Sequence, residues 1–115
     1  MQQGEHMTGQ MGWTGDNGDP DNFFFLLGCA AARQGGQNLS KWCNKDFDDR
    51  LVKARQSFNR DEREKLYKEM EVIAHEEEPQ LTVAHSIVYE PTRKSVVGYK
   101  LSPLGRHEFQ NVSLK

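Results

Sequence analysis

The stretch NKDFDDRLVKARQSFNRDEREKLYKEMEVIAHEEEP, residues 44–79, decides the fold of this 115-residue chain. The apolar residues of its first half recur with the period of a helix, and they are Phe47, Leu51, Ala54 and Phe58. Asn44 stands at the N-cap position, and three aspartates follow it near the positive end of the helix dipole. This half therefore predicts a helix with one buried apolar face.

The second half predicts another helix. Asn59 and Glu62 form a variant of the capping box at its start, and Pro79 ends it. Its apolar face is expected to consist of Leu66, Tyr67, Met70, Ile73 and Ala74. Glutamate and lysine residues four positions apart, such as Glu64 and Lys68, support its exposed face.

Strands are expected outside this helical pair. The segment LTVAHSIVYE, residues 81–90, is apolar on both faces from Leu81 to Val88, which is typical of a buried central strand. Residues 9–14 form a weaker, glycine-broken strand pattern. Residues 95–115 contain short strand-like pieces and no helical pattern. The sequence thus predicts an α/β chain with room for one small domain.

Composition narrows the function classes. Hydrophobic residues make up 36% of the chain and charged residues 28%, and the formal net charge is -2. No basic field indicates a nucleic-acid or anionic-membrane partner. The longest apolar run, around Phe23–Leu27, is far shorter than the ~18 residues of a membrane span.

The two cysteines, Cys29 and Cys43, bracket a loop rich in glycine, serine and asparagine. A disulfide would close a loop of about 15 residues and stabilise the chain by roughly 3 kcal/mol, as in many secreted proteins. Two free thiols are the alternative, and a metal is less favoured without a CxxC motif or a nearby Cys or His. A disulfide of this kind would indicate an exported protein. The opening residues MQQGEHMTGQ conflict with export, because they lack a signal-peptide pattern and alone indicate a cytoplasmic protein.

An acidic loop, GWTGDNGDPDNFFF, occupies residues 12–25. Such a cluster can hold a metal, do acid–base chemistry, grip a cation or turn the chain. Asp19 before Pro20 favours a turn, and Asp21 or Asn22 is expected to cap a short helix that Gly28 closes. The apolar residues of that helix are Phe23, Phe24, Leu26 and Leu27. An EF-hand does not match because its glycine and distant glutamate are missing, which leaves calcium a minor alternative.

Catalytic and zinc motifs are weak. The sequence HEEEP, residues 75–79, has proline where the second histidine of HExxH would stand, so a solvated acidic helix end is expected. No histidine lies near a nucleophile motif, and His85 fits a buried position in a strand. Paired carboxylates such as Asp16 and Asp19 are only weak evidence for glycoside hydrolysis.

Five segments together resemble the C-terminal part of periplasmic dipeptide-binding proteins, which are family 5 extracellular solute-binding proteins of peptide ABC transporters. The segments are GWTGDNGDPDNFF, the loop ending SKWC, the LYKE helix, AHSIVYEPTRKSVVGY and PLGRHEFQNVSL. Their order and spacing match over nearly the whole chain. The resemblance implies the C-terminal part of a two-lobed binding protein of type II, in the peptide-binding cluster, with two main helices and a few strands.

The resemblance also implies a division of the chain and a location. Residues 1–85 would belong to the second, ligand-binding lobe, and residues 86–115 would cross the hinge and return to the first lobe. Met1 would be an internal methionine of a longer reading frame, so that the signal for export to the periplasm lies upstream. The expected function is dipeptide binding for an ABC importer, with its permease subunits as partners. No catalytic residue, cofactor, metal, nucleic acid or membrane insertion is expected.

For the site, the resemblance implies that Asp16 pairs with the α-ammonium of a bound peptide. A buried carboxylate facing that cation would form a charge-assisted hydrogen bond and reject blocked N-termini. The main chain of Met11, Gly12 and Thr14 would bond the peptide backbone as an added strand. Trp13 would form a wall of the pocket. The residues from Asp19 to Asn22 are interpreted as turn and cap residues.

Alternatives remain at this point. Arg33, Arg55 and Arg93 do not match the arginine that takes the ligand carboxylate in this family, so that residue is expected upstream. Relatives with the same GDNGDPDNF loop bind haem, glutathione or longer peptides. A stand-alone interaction module without a ligand is the rival class, and a hydrolase is third. An upstream reading frame that begins with a signal peptide, beside permease genes, would favour the transporter.

Overall fold

The computed structural model describes residues 5–115, and the part of the expected second lobe before residue 5 lies outside them. Two compact units divide the chain, Met1–Thr82 and Val83–Lys115. The first unit contains three α-helices, which are α1 (Asp21–Phe24), α2 (Lys45–Gln56) and α3 (Arg60–Glu77). Two single 3₁₀ turns, Phe25–Leu27 and Cys29–Ala31, follow α1. The second unit contains a two-stranded ladder, β1 (Val96–Val97) and β2 (Ser113–Leu114).

Helix α2 forms as the sequence predicted. The Asn44 side chain accepts a hydrogen bond from the Phe47 N–H at 3.0 Å, which satisfies one N–H group of the first turn. Phe47, Leu51 and Ala54 are buried with 0%, 2% and 0% of their surface exposed. The predicted cap and most of the predicted apolar face are therefore confirmed.

Phe58 is the exception on this face. It was expected to continue the apolar stripe, yet it lies beyond the end of α2 and is fully exposed. The helix ends because Ser57 adopts an extended conformation while its N–H still bonds the Lys53 carbonyl. Asn59 already caps the next helix, so Phe58 lies in a tight connection where the helical period no longer applies.

Helix α3 also begins at the predicted cap. The Asn59 side chain accepts hydrogen bonds from the N–H groups of Asp61 and Glu62 at 2.9 and 3.2 Å. The reciprocal bond of a capping box is missing, because the Glu62 carboxylate accepts from the Ser57 hydroxyl at 2.7 Å instead. The helix stops before Pro79, with Glu78 in the left-handed region at φ 44°.

The core of the first unit is formed where the three helices meet. Phe24 of α1 stacks on Tyr67 of α3, with ring centroids 5.4 Å apart, and lies 5.8 Å from the ring of Phe47 of α2. Each such buried side chain contributes roughly 1.5–3 kcal/mol through removal of apolar surface from water. The buried residues of this core are Phe24, Leu27, Phe47, Leu51, Ala54, Leu66, Tyr67 and Met70.

Helix α1 is present, although its cap differs from the expectation. Pro20, and not Asp21 or Asn22, occupies the N-cap position, and no side chain caps the helix there. Asp19 accepts a hydrogen bond from the Asp21 N–H at 3.0 Å, as a turn-forming aspartate does. Gly28 ends the helical stretch with φ -65°, so a left-handed turn is not the reason for glycine there. A Cβ at Gly28 would lie 3.1 Å from the Leu51 side chain, so close packing is the reason.

The cysteine loop is closed by the predicted disulfide between Cys29 and Cys43, whose Cα atoms are 4.6 Å apart. Asn38, which is completely buried, supports this loop from inside. Its amide donates to the carbonyls of Gly28 and Trp42 at 3.2 and 2.8 Å. Its own oxygen accepts from the Ser40 hydroxyl at 2.8 Å.

The predicted strands at residues 81–90 and 9–14 are wrong for this structure, since neither segment is assigned to a strand. Leu81, Val83 and Tyr89 are 85%, 77% and 80% exposed, so the expected central, buried position is wrong too. His85 is likewise exposed. A strand is stabilised by bonds to neighbouring strands, and the described residues supply none to this segment.

The second unit is built on the antiparallel pair of β1 and β2, in which Val96 lies opposite Leu114. Gly98 follows β1 with φ 85°, and a Cβ there would lie 2.2 Å from the Asn111 carbonyl oxygen, so only glycine fits. Tyr99 and His107 stack on Phe109, with ring centroids 5.9 and 6.2 Å from it. As predicted, the described part of this tail contains no helix.

Candidate functional site

The acidic loop is attached to α3 through Asp19. Nη2 of Arg63 lies 2.9 and 2.7 Å from the two carboxylate oxygens of Asp19. The Tyr67 hydroxyl donates a longer bond, at 3.4 Å, to the same carboxylate. Partial burial acts to raise the pKa of Asp19, but the Asp21 N–H, Arg63 and Tyr67 together outweigh it and lower the pKa below its usual value. Asp19 is therefore a charged anchor.

A second anchor attaches the loop to α2. The carboxylate of Asp21 lies 2.6 Å from Nε of Arg55 in a salt bridge. Both side chains are partly exposed, so this pair contributes less than about 1 kcal/mol on its own. Its main effect is on the position of the loop. Asp19 is bonded to α3 and Asp21 to α2, so the residues on both sides of Pro20 are attached to the helices.

Asn22 connects two of the predicted site residues, Trp13 and Asp16. Its side-chain oxygen accepts a hydrogen bond from the Trp13 indole N–H at 2.8 Å and another from the Asp16 main-chain N–H at 3.3 Å. Its amide nitrogen donates to Oδ2 of Asp16 at 3.1 Å. The structure therefore brings the indole and the carboxylate together around one side chain.

The remaining predicted residues lie in the same exposed segment. Met11 is 66% exposed, and a Cβ at Gly12 would meet no atom within 4 Å. Within the described part of the chain, the main chain of residues 11–14 makes no backbone–backbone hydrogen bond. Trp13 is 42% exposed and packs edge-on against Phe25, with ring centroids 5.8 Å apart.

Asp16 itself is exposed, which differs from the expected buried carboxylate. An exposed carboxylate is screened by water and binds a cation weakly, so strong binding of an ammonium group at Asp16 requires that water be excluded from this face.

Sequence reasoning missed the role of Asn22, because an asparagine at the start of a helix is usually a cap. A usable signal was present, however. Asparagine carries both an acceptor and a donor, which is what a residue needs to hold an indole N–H and a carboxylate together. The sequence predicted a solvated acidic end for α3, and Glu77 is exposed there. Its role as acceptor was missed, since the Trp42 indole and the Asn44 amide each donate to its carboxylate at 2.6 Å.

Metal ligands are not gathered at the loop. Among residues 5–115 no three His, Cys, Asp or Glu side chains form a group that could hold a metal ion. In the same range, none of the helices has the length and apolar character needed to cross a membrane.

Curated proteins match the chain over nearly its whole length. It is 53% identical to the Dipeptide-binding protein of Escherichia coli (strain K12) over 112 residues. These residues make up 97% of this chain and 21% of that protein. It is 45% identical to Di/tripeptide-binding protein 2 of Pseudomonas aeruginosa (strain UCBPP-PA14), over 96% of this chain and 21% of that protein. Heme-binding protein A of Haemophilus influenzae is 43% identical, over 97% of this chain and 20% of that protein.

A solved structure gives the same result for the fold. HbpA2 from Haemophilus parasuis superposes with a TM-score of 0.69 and 40% identity, over 90% of this chain and 20% of that chain. No protein-family model matches the chain. In sequence and fold the chain corresponds to one segment of these binding proteins, as its resemblance to the family 5 extracellular solute-binding proteins predicted. It spans about a fifth of the length of the curated relatives it matches.

Proposed function

We propose that this chain supplies one wall of a dipeptide-binding cleft and grips the N-terminus and backbone of the peptide. The observation that carries the proposal is the pairing of Asp16 and Trp13 around Asn22 on an exposed face. The 53% identity to a protein named for dipeptide binding supports the choice of ligand. Relatives named for binding rather than catalysis support a non-catalytic role.

The chemistry of recognition follows from the charge of Asp16. A peptide α-ammonium group placed on this carboxylate forms a charge-assisted hydrogen bond. Once the rest of the protein covers the face, the pair is removed from water and its electrostatic attraction increases. A peptide with an acetylated N-terminus brings no charge and leaves the carboxylate desolvated without a cation, so it is rejected.

The main chain of residues 11–14 gives the second contact. Its N–H and C=O groups make no backbone–backbone bonds in the described part of the chain, so they can pair with an extended peptide. Such main-chain pairing adds a strand without reading side chains, which suits a protein that accepts many dipeptides. The exposed ring of Trp13 covers one side of the same peptide.

In the whole protein, residues 1–85 form part of the ligand-binding lobe, and residues 86–115 cross the hinge to the other lobe. The exposed apolar segment 81–90 pairs there with strands that the described residues do not supply. The protein works in the periplasm, where the disulfide between Cys29 and Cys43 is stable, and delivers peptide to the permease subunits of an ABC importer.

Haem is the second candidate ligand, and the 43% identity to Heme-binding protein A favours it. Two hybrid proteins separate the candidates. One is the Escherichia coli Dipeptide-binding protein and the other is Heme-binding protein A, each with its matched segment replaced by this chain. Retained haem absorbance in the second hybrid, together with no dipeptide binding by a folded first hybrid, would favour haem.

The decisive experiment is calorimetry on the dipeptide hybrid with alanylalanine and its N-acetylated form. We expect Asp16→Asn to weaken binding of the free peptide by about 2–4 kcal/mol, because it removes a desolvated charge partner. Binding of the acetylated peptide should change little. Glu76→Gln is the control for charge, because it removes one negative charge from an exposed carboxylate of α3 that takes no part in anchoring the loop.

Thermal unfolding first has to show that each hybrid folds, and the calorimetric results then distinguish the possible roles of Asp16. Equal weakening of both peptides by Asp16→Asn would mean that Asp16 does not bind the ammonium group. No change for either peptide would mean that the loop is only a turn. An effect of Glu76→Gln as large as that of Asp16→Asn would mean that the loss reflects the net charge of the protein and not a contact of Asp16 with the ammonium group.

A further inference from the structure

We propose that Asn22 is a positioning residue that fixes Asp16 and Trp13 in the arrangement that receives the peptide N-terminus. The inference rests on the proposed function and deepens it, since it concerns how the same site reaches its specificity. Asn22 touches no ligand in this scheme. It acts through the two side chains that do.

The geometry carries the inference. One asparagine oxygen accepts from the Trp13 indole at 2.8 Å and from the Asp16 N–H at 3.3 Å, while its nitrogen donates to the Asp16 carboxylate at 3.1 Å. An aspartate at this position would lose the donor and face a like charge. A leucine would lose all three bonds at similar volume. Asparagine is thus the side chain that fits both neighbours.

Asn22 is itself held in place by the helices. Its main-chain N–H bonds the Asp19 carbonyl at 3.1 Å, and Asp19 is fixed to α3 by Arg63. The preceding residue, Asp21, is fixed to α2 by Arg55. The positions of the indole and the carboxylate are therefore set by the folded core, although both side chains lie on an exposed loop.

Pre-positioning has a direct consequence for binding. A carboxylate held in one orientation loses less conformational freedom when an ammonium group arrives, so more of the interaction appears as affinity. Because the bond from Asn22 ends on a charged group, its loss should weaken binding of a free peptide by about tenfold. Binding of an acetylated peptide, which does not use the carboxylate, should change less than threefold.

The first test uses the 115-residue chain alone and needs no ligand. The chain has two tryptophans, so a ¹⁵N-labelled sample gives two indole N–H signals in the NMR spectrum. We expect Asn22→Ala to shift the Trp13 signal and leave that of Trp42 in place. Glu77→Leu is the matched control, because it removes the acceptor of the Trp42 indole and should shift only that signal.

The Trp42 signal also reports folding, since Trp42 packs on the core residue Phe47. If Asn22→Ala moves both signals, Asn22→Leu, which keeps the volume, replaces it in the same measurement. A Trp13 signal that stays in place in a variant whose Trp42 signal is native would overturn the inference. A shift of Trp13 alone supports it.

The second test is a double-mutant cycle in the dipeptide hybrid. We expect Asn22→Ala to weaken binding of alanylalanine about tenfold when Asp16 is present and less than threefold in the Asp16→Asn background. Equal losses in both backgrounds would show a general structural effect and overturn the inference. If Asp16→Asn weakens the free peptide while Asn22→Ala does not, only the positioning role fails. If Asp16→Asn itself has no effect, the proposed function fails and this inference fails with it.

Discussion

Asp19 and Arg63 lie 44 residues apart in the sequence and form a salt bridge with an O···N distance of 2.7 Å. This contact joins the acidic loop to α3, and Tyr67 one turn further along α3 lies next to both. The hydrogen bonds of Tyr67 and Asp19 raise the pKa of Arg63 above its usual value, so the arginine stays charged at every pH of interest. The salt bridge is therefore lost with falling pH only when Asp19 becomes protonated.

The stability of the 115-residue chain should therefore depend on pH through Asp19. The pKa of Asp19 is lower in the folded chain than the unfolded value of about 3.9. Its contribution is then fully present above about pH 5 and is lost as the pH falls through the folded pKa. We expect Asp19→Asn to reduce the free energy of unfolding by up to about 1 kcal/mol at pH 7.

Urea unfolding of both proteins from pH 7 down to pH 2.5 measures this difference. The two stability curves should draw closer as the pH falls, because protonation of Asp19 in the wild type removes the charge that the variant lacks at every pH. Glu76→Gln removes an exposed carboxylate from α3 and should track the wild-type curve within about 0.5 kcal/mol. A constant gap between Asp19→Asn and wild type over the whole range would contradict the role of the charge.

Asn38 supports the cysteine loop from a fully buried position, and we expect its removal to be costly. Asn38→Ala leaves the carbonyls of Gly28 and Trp42 without its amide donors. Loss of a buried partner costs about 1–3 kcal/mol for each group left unsatisfied, so a total of about 2–6 kcal/mol is expected for the two carbonyls. Gln37→Ala, at the exposed neighbouring position, is the control and should change stability by less than about 0.5 kcal/mol. Equal thermal unfolding curves for the two variants would show that the buried hydrogen bonds of Asn38 do not stabilise the cysteine loop.

The helical pair was predictable because its signals are local. Asn44 and Asn59 each bond N–H groups two or three residues ahead, and the apolar residues recur along one face. Phe58 shows the limit of that reasoning, because a periodic pattern does not mark the residue at which a helix stops. The bonds of Ser57 to both neighbouring segments decided that boundary.

The site was less predictable from the residues themselves. Asp16 and Trp13 were predicted as ligand contacts through resemblance to a family, since an aspartate-rich loop fits several kinds of chemistry. The anchors Arg55 and Arg63 come from positions more than 30 residues away, and no local pattern pairs them with Asp21 and Asp19. The sequence shows which residues carry donors and acceptors, but the folded structure determines which of them form hydrogen bonds with each other.

The segment from residue 81 to 90 allows a test of the failed strand prediction. Its main-chain N–H groups donate none of the backbone–backbone hydrogen bonds in the described part of the chain, and its apolar side chains are exposed. Hydrogen exchange of the 115-residue chain should therefore be fast for these amides and much slower for the middle of α3. Protection of Val83 or Ile87 equal to that of Met70 would contradict this.

The same measurement on the dipeptide hybrid tests why the prediction failed. A pattern that is apolar on both faces fits a central strand in a sheet that is covered on both faces. The exposure of Leu81, Val83 and Tyr89 shows that the described residues supply no such neighbours. If the rest of the protein provides those neighbours, the amides of residues 83–90 should become protected in the hybrid by at least about a hundredfold. The middle of α3, which already has its helical bonds, is the internal reference and should change far less. Unchanged fast exchange at residues 83–90 in a folded hybrid would mean that this segment is a loop in the whole protein as well, and the expected crossing between lobes would have to be placed elsewhere.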